Sequence, residues 1–191
     1  MQYSIMLDLT RYVFNLAVAL MFMLLSLLSA DSATRPDLSG MWYLNQEQSD
    51  APGVKVRGLD TGRSSEGKKV RLLQAALRSL AEPPHTLDIT QDETEITINE
   101  GTERIVRTRT LYIGDQKLRR ASMDGEPASY RAWWENSRLL VETVFAGSGR
   151  LVEVYERAPD GHRLYVTVRV EDASRREPIE IRRVYDLVIS I

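Results

Sequence analysis

The sequence predicts an all-β fold, an antiparallel up-and-down barrel of about eight to ten strands with one amphipathic helix in its first long crossover. From residue 87 onward, apolar and polar residues alternate, and turn formers recur about every 8–12 positions. One earlier segment has helical periodicity instead. A charge-free apolar run near the N-terminus predicts a separate signal or anchor helix.

The N-terminal run, residues 12–30, reads YVFNLAVALMFMLLSLLSA and follows Arg11. A basic residue, an apolar run and then small residues are typical of a secretory signal peptide. The run is also long enough to cross a bilayer as a helix, which takes about 17–25 residues. We therefore expect residues 1–30 to be a signal peptide or, if uncleaved, a membrane anchor. The barrel domain, 37–191, is then exported to the periplasm or the extracellular side of a bacterial envelope.

The composition limits the kinds of partner. The chain has 191 residues, with 25 Lys and Arg against 27 Asp and Glu, a formal net charge of −2. This balance gives no reason to expect nucleic acid, which selects for a basic face. The chain has no cysteine, which excludes disulfides, thiol catalysis and thiolate metal sites. Contact with a membrane is expected only through the N-terminal segment, and the sequence does not specify an oligomeric state.

The first strand is predicted at the stretch MWYLN, and the clearest strand is RLYVTVRV. In the latter, Leu164, Val166, Val168 and Val170 share one face, the pattern of a strand that covers a core on one side. Ten strands are predicted in all: 41–45, 85–91, 95–100, 104–113, 117–123, 129–134, 139–146, 151–157, 163–170 and 179–188.

The predicted helix, residues 64–80, reads SSEGKKVRLLQAALRSL and is followed by Pro83 and Pro84. Its apolar residues recur at helical spacing, and the prolines prevent its continuation. We expect this helix to pack over an end or side of the barrel. The alternative is a basic amphipathic helix that lies on a membrane surface.

Four stretches carry a resemblance to a known group: LSGMWYLNQEQSD, RAWWENSRLLVET, LVEVYERAPDGHRLYVTVRV and IEIRRVYD. Over residues 37–188 the chain resembles uncharacterised bacterial exported proteins with a lipocalin-like β-barrel. The resemblance implies ligand binding inside the barrel. It also implies that Trp42 packs at the closed end of the barrel under an arginine of the last strand, for which Arg183 is the candidate.

The residues expected to contact a ligand are Trp134, Tyr130, Val166 and Val168, all at positions predicted to face inward. The expected function is to bind an apolar or amphipathic small molecule in the cell envelope, and that ligand is the expected partner. The alternative is a non-enzymatic interaction or structural module that uses the helix and an exposed Trp133. For the inward aromatic residues, plain core packing is the competing interpretation.

Arginines occur on most predicted strands, among them Arg109, Arg131, Arg182 and Arg183. They are expected to form cross-strand pairs with Glu and Asp. Alternatively, those that face inward form a cluster that recognises an anionic ligand.

The sequence gives little reason to expect an enzyme. Asp60-Thr61-Gly62 matches the core tripeptide of aspartic proteases, which need two carboxylates and therefore a homodimer of this chain. This is a minor alternative, because the tripeptide lacks the apolar strand expected before it. We expect no catalytic residues, no metal site and no cofactor.

Overall fold

The computed structural model describes residues 35–51, 76–77, 80–103, 105–114, 117–123, 126–145, 149–172 and 177–189. The expected signal or anchor segment, 1–30, lies outside these residues. Within the described ranges, no helix is both long enough and apolar enough to cross a membrane.

The described domain is all-β and antiparallel, as predicted, and each predicted strand overlaps an observed one. The ten strands are β1 Gly40–Leu44, β2 Thr86–Gln91, β3 Glu95–Gly101, β4 Val106–Tyr112, β5 Arg119–Met123, β6 Glu126–Glu135, β7 Arg138–Phe145, β8 Gly149–Arg157, β9 Arg163–Asp172 and β10 Ile179–Leu187.

The strands form one sheet in the order β4-β3-β2-β1-β10-β9-β8-β7-β6-β5. Consecutive strands pair except for β4 and β5, which are the two ends of the order, and β1 pairs with β10, so the connection is up-and-down. The sheet curls until β4 meets β6. There Ile113 and Ala132 form an isolated bridge, and the Tyr130 hydroxyl donates to the Thr110 carbonyl at 3.1 Å. The inner face of the sheet therefore encloses an interior.

Burial alternates along much of β2, β3, β8 and β9, as expected for strands with one face on an interior. Leu164, Val166, Val168 and Val170 are buried in the core, as the alternation of RLYVTVRV predicts. Buried Ala76, Leu77 and Leu80 join the same core. Residues 76, 77, 80 and 81 are helical, and the rest of the predicted helix 64–80 lies outside the described residues.

Trp42 closes one end of the interior. Its side chain is fully buried, and its indole N–H donates to the Leu38 carbonyl at 3.0 Å. The Arg157 guanidinium lies over the indole ring, 5.5 Å from the ring centroid. Arg157 also donates to the Gly161 carbonyl at 2.9 Å, which joins the turn between β8 and β9 to this end.

The expected stacking of Arg183 on Trp42 is therefore wrong, because the arginine over the indole comes from β8 instead of the last strand. The register shows the reason. Trp42 pairs with Leu187 of β10, and Arg183 lies four residues from Leu187 along that strand. Four residues of strand span about 13 Å, which places Arg183 in another layer of the interior.

Candidate functional site

A cavity of about 350 Å³ opens beside the start of β2, where the segment that follows β1 lies against β10. Small-molecule sites have volumes of about 300–1,000 Å³, so this cavity suits a small ligand. Its lining combines aliphatic side chains with a few polar ones: Leu44, Gln46, Ser49, Asp50, Ala51, Leu80, Pro83, His85, Ile181 and Arg183.

The segment after β1 forms one wall of this cavity because it is hydrogen-bonded to β10. The Asp50 N–H donates to the Arg182 carbonyl, and the Arg182 N–H donates to the Asp50 carboxylate, both at 2.9 Å. Next to them, the Val184 N–H donates to the Ser49 hydroxyl at 2.9 Å. These three hydrogen bonds replace the strand pairing that β1 no longer supplies.

Arg183 is the cationic group of the cavity. It faces the interior from β10 and is only 5 % exposed. One of its Nη atoms donates to the Leu80 carbonyl at 3.4 Å, which links β10 to the end of the helix. Tyr185, the next inward residue, donates from its hydroxyl to the Pro84 carbonyl at 3.1 Å. Burial raises the pKa of Tyr185, so its hydroxyl stays protonated at neutral pH.

A second polar group, which we call the interior cluster, consists of Glu100, Arg109, Glu153 and Tyr155. The two Nη atoms of Arg109 donate to the two carboxylate oxygens of Glu153 at 2.6 and 2.8 Å. Its Nε lies 3.0 Å from Glu100, in an ion pair whose N–H is poorly aligned for a hydrogen bond. Tyr155 accepts from Arg109 and donates to Glu153 at 3.0 Å.

The interior cluster crosses the interior. Arg109 belongs to β4 and Glu153 to β8, which are far apart in the strand order. Their bidentate contact is direct only because the sheet curls. The contact therefore ties the edge strand β4 to β8, and it joins a buried carboxylate to a half-buried guanidinium.

The charges of the interior cluster stabilise one another. Burial alone would raise the pKa of Glu153, but the charge of Arg109 and hydrogen bonds from Arg109 and Tyr155 hold it below its usual value. Burial alone would lower the pKa of Arg109, but Glu100 and Glu153 raise it well above its usual value. Burial raises the pKa of Tyr155. Arg109 and Glu153 thus form an ionised pair beside a neutral tyrosine.

Val166 and Val168 lie between the interior cluster and the cavity wall. Across β8, β9 and β10, Val166 pairs with Tyr155 on one side and with Arg183 on the other. One layer along, Val168 pairs with Glu153 and Ile181 in the same way. The two valines predicted to contact a ligand are therefore buried neighbours of the residues that line the cavity.

The two aromatic residues predicted to contact a ligand lie elsewhere. Tyr130 is buried, and its hydroxyl bridges to β4, where it also accepts from the Tyr112 N–H at 3.4 Å. Trp134 is half-buried and packs against the core. Neither of them borders the cavity, and ligand contact by these four residues stays a prediction. Trp133, predicted at the surface, is half-buried with the Arg131 guanidinium 5.2 Å from its ring centroid.

The arginines divide between the two interpretations offered for them. Arg131 pairs with Glu142 on the outer face, and Arg150 contacts the same carboxylate at 3.1 Å, as cross-strand pairing predicts. Arg109 and Arg183 instead face the interior. Glu153 is not among the predicted site residues. Its sequence position, inward-facing between Leu151 and Tyr155, nevertheless marks it as a charged residue in the interior.

The described residues contain no group of three or more His, Asp or Glu side chains arranged to hold a metal ion. Asp60, the residue of the aspartic protease alternative, lies outside the described residues. The apolar walls of the cavity, the N–H donors of Arg183 and the acceptors around it are groups suited to recognising a small molecule.

Comparison with solved structures finds proteins of similar fold. The chain is similar to the REP1-NXSQ fatty acid transporter, with a TM-score of 0.55 and 15% identity over 81% of this chain and 98% of that one. A secretory abundant heat soluble protein from Ramazzottius varieornatus matches with a TM-score of 0.54 and 10% identity, over 79% and 95% of the two chains. No protein-family model and no curated protein matches the sequence. At these identities the likenesses show the fold alone, an antiparallel, curled β-sheet of the barrel type.

Proposed function

We propose that the domain binds one small apolar or amphipathic molecule in the cavity beside β10. The observation that carries the proposal is the cavity itself, which combines aliphatic walls with a single buried guanidinium, Arg183. An aliphatic wall with a few convergent polar groups is the usual composition of a small-molecule site. Ile181, Leu44 and Leu80 would contact the apolar part of the ligand, and Arg183 would donate to its polar end.

The fold supports this proposal by analogy. The transporter that this chain resembles carries fatty acids according to its name, and neither of the two names reported above denotes an enzyme. At 15% identity the likeness concerns the fold alone. The exported location remains part of the proposal and rests on the signal-like sequence of residues 12–30.

A protein-interaction role is the second candidate. Large apolar side chains are exposed on edge strand β4 and beside it: Val106 is 71% exposed, Leu118 56% and Ile105 50%. An edge strand also offers unpaired backbone groups. This surface differs from the helix and Trp133 surface that the sequence predicts, because Arg131 covers the indole of Trp133.

A cavity-filling variant tests the binding site. We expect the purified protein to bind a fluorescent apolar probe saturably, with about one probe per chain. Ile181→Phe places a larger side chain in the cavity, so we expect it to weaken probe binding by about tenfold, a loss of ~1.4 kcal/mol. The measurement is a fluorescence titration of both proteins.

Val154→Phe is the matched control, because Val154 pairs with Thr167 on the outer face of β8 and β9. We expect this variant to bind the probe as the wild type does. Equal affinity of the wild type and Ile181→Phe for the probe would show that the probe does not bind in the cavity. Loss of probe binding when Val106 is substituted would then favour the exposed apolar surface on β4 as the binding site.

A further inference from the structure

The cavity lining carries balanced charge. Among the described residues, one acidic and one basic side chain line it, Asp50 and Arg183, together with the titratable His85. The Asp50 carboxylate accepts the Arg182 N–H and is fixed at the rim. A charged ligand group that enters this cavity therefore meets one like charge for every opposite charge.

The interior cluster adds a negative excess behind the cavity wall. Glu153 and Glu100 together outnumber their partner Arg109. Counted with Asp50 and Arg183, the group holds three carboxylates against two guanidiniums. Glu153 also feels the charge of Arg183. Glu153 and Ile181 flank Val168 across two strand spacings, so the excess lies within about 10 Å of the cavity wall.

We propose that the ligand of this cavity has an uncharged polar head, such as a hydroxyl, ester or amide oxygen, and that Glu153 and Asp50 select against a carboxylate. This inference rests on the proposed function and adds the ligand class to it. A carboxylate on Arg183 would bring a fourth negative charge into a poorly solvated interior that already holds an excess of them.

A cationic head is excluded by the same geometry. Arg183 lines the cavity and repels a cation at close range, whereas the carboxylates act on it only from further away because their oxygens already accept other donors. Glu153 is held bidentately by Arg109, and Asp50 accepts a backbone N–H. An uncharged oxygen is repelled neither by the carboxylates nor by Arg183, and a guanidinium N–H donates to it without any change in net charge.

The test compares three ligands with one tail: 1-dodecanol, dodecanoate and dodecyltrimethylammonium. Each displaces the fluorescent apolar probe from the wild-type protein at pH 8.5, above the usual titration range of histidine. We expect dodecanol to bind at least about tenfold more tightly than either charged ligand. Because an alcohol also partitions more readily into any apolar site, the variants in the next step provide the more specific readout.

Two substitutions remove one negative charge each. Asp50→Asn keeps the oxygen that accepts the Arg182 N–H, and Glu153→Gln keeps the shape of the interior cluster. We expect each to raise the affinity for dodecanoate relative to dodecanol by about threefold to tenfold. Glu142→Gln is the matched control, because Glu142 is a buried carboxylate that faces Arg131 and Arg150 on the outer face. It should leave the ratio unchanged.

The outcomes separate the two proposals. Tighter binding of dodecanoate than of dodecanol would contradict the preference for an uncharged head without contradicting binding in the cavity. The same holds if neither Asp50→Asn nor Glu153→Gln changes the ratio of the dodecanoate affinity to the dodecanol affinity. Failure of all three ligands and of the probe to bind overturns the proposed function and this inference together. Asp50 is at the rim, so its variant gives an answer even if Glu153→Gln fails to fold.

Discussion

At the scale of single residues, the most unusual feature is Glu153, an ionised carboxylate at an inward position of a central strand. Its neighbours on both sides in the sheet are valines, Val141 and Val168. Such a charge is tolerated only when each oxygen is satisfied, and here Arg109 and Tyr155 supply three hydrogen bonds. The stability of the domain therefore depends on the protonation state of this one side chain.

This dependence predicts acid lability. The pKa of Glu153 is lowered in the folded protein from an unfolded value of about 4.5, so the unfolded chain binds the proton more readily. The stabilisation is complete above pH 4.5 and is lost as the pH falls through the lower folded pKa. We expect the free energy of unfolding to decrease with falling pH below 4.5 and to decrease less steeply in Glu153→Gln. Urea titrations at several pH values measure it.

Equal slopes for the wild type and Glu153→Gln between neutral pH and pH 3 would contradict this account. Glu153→Gln should also be less stable than the wild type at pH 7, because Arg109 loses its bidentate ionic partner.

At the scale of strands, the critical element is the junction between β4 and β6. β4 and β5 are the two ends of the described strand order, and side chains complete the closure where the ladder stops. Tyr130 accepts from Tyr112 and donates to Thr110, so one hydroxyl serves two backbone groups of β4. The interior cluster holds the same strand from inside through Arg109.

Removal of that hydroxyl should loosen β4. We expect Tyr130→Phe to lower the free energy of unfolding by about 1 kcal/mol, since two backbone groups lose a partner. The amide of Tyr112 should exchange its hydrogen faster than in the wild type, as measured by NMR. Tyr43→Phe is the control, because that side chain is 54% exposed on the outer face of β1. An unchanged exchange rate at Tyr112 in Tyr130→Phe would show that β4 is held without the hydroxyl.

The strands themselves could be predicted from the sequence, whereas the contacts between distant strands could not. Alternation and turn residues are local signals, and RLYVTVRV and the Ala158–Gly161 turn contain them in full. The arginine over Trp42 depends instead on the register of β1 against β10 and on the turn after β8. Arg157 and Arg183 both lie at inward positions of their strands. The two-residue period alone therefore does not show which of them lies over Trp42.

At the scale of the whole molecule, the curl of the sheet creates both the interior cluster and the cavity. The bidentate contact of Arg109 with Glu153 joins residues 44 positions apart, which only the closed arrangement of strands brings together. Whether the interior is filled or hollow depends likewise on a non-local event, the return of residues 45–50 along β10. The cavity lies where this segment, instead of a strand, lies against β10.

Two surfaces of the molecule compete as its functional surface, the cavity beside β10 and the exposed apolar residues at β4. Different methyl-bearing side chains report on binding at each surface. Leu44, Leu80 and Ile181 line the cavity, whereas Ile105 and Val106 are exposed at the edge strand.

The most direct measurement is a methyl NMR titration of the isotope-labelled protein with 1-dodecanol. We predict saturable shifts of the Leu44, Leu80 and Ile181 methyl signals at about one ligand per chain, with the signals of Ile105 and Val106 unmoved. Shifts confined to Ile105 and Val106, or the absence of saturable shifts at the three cavity residues, would contradict a ligand-binding interior.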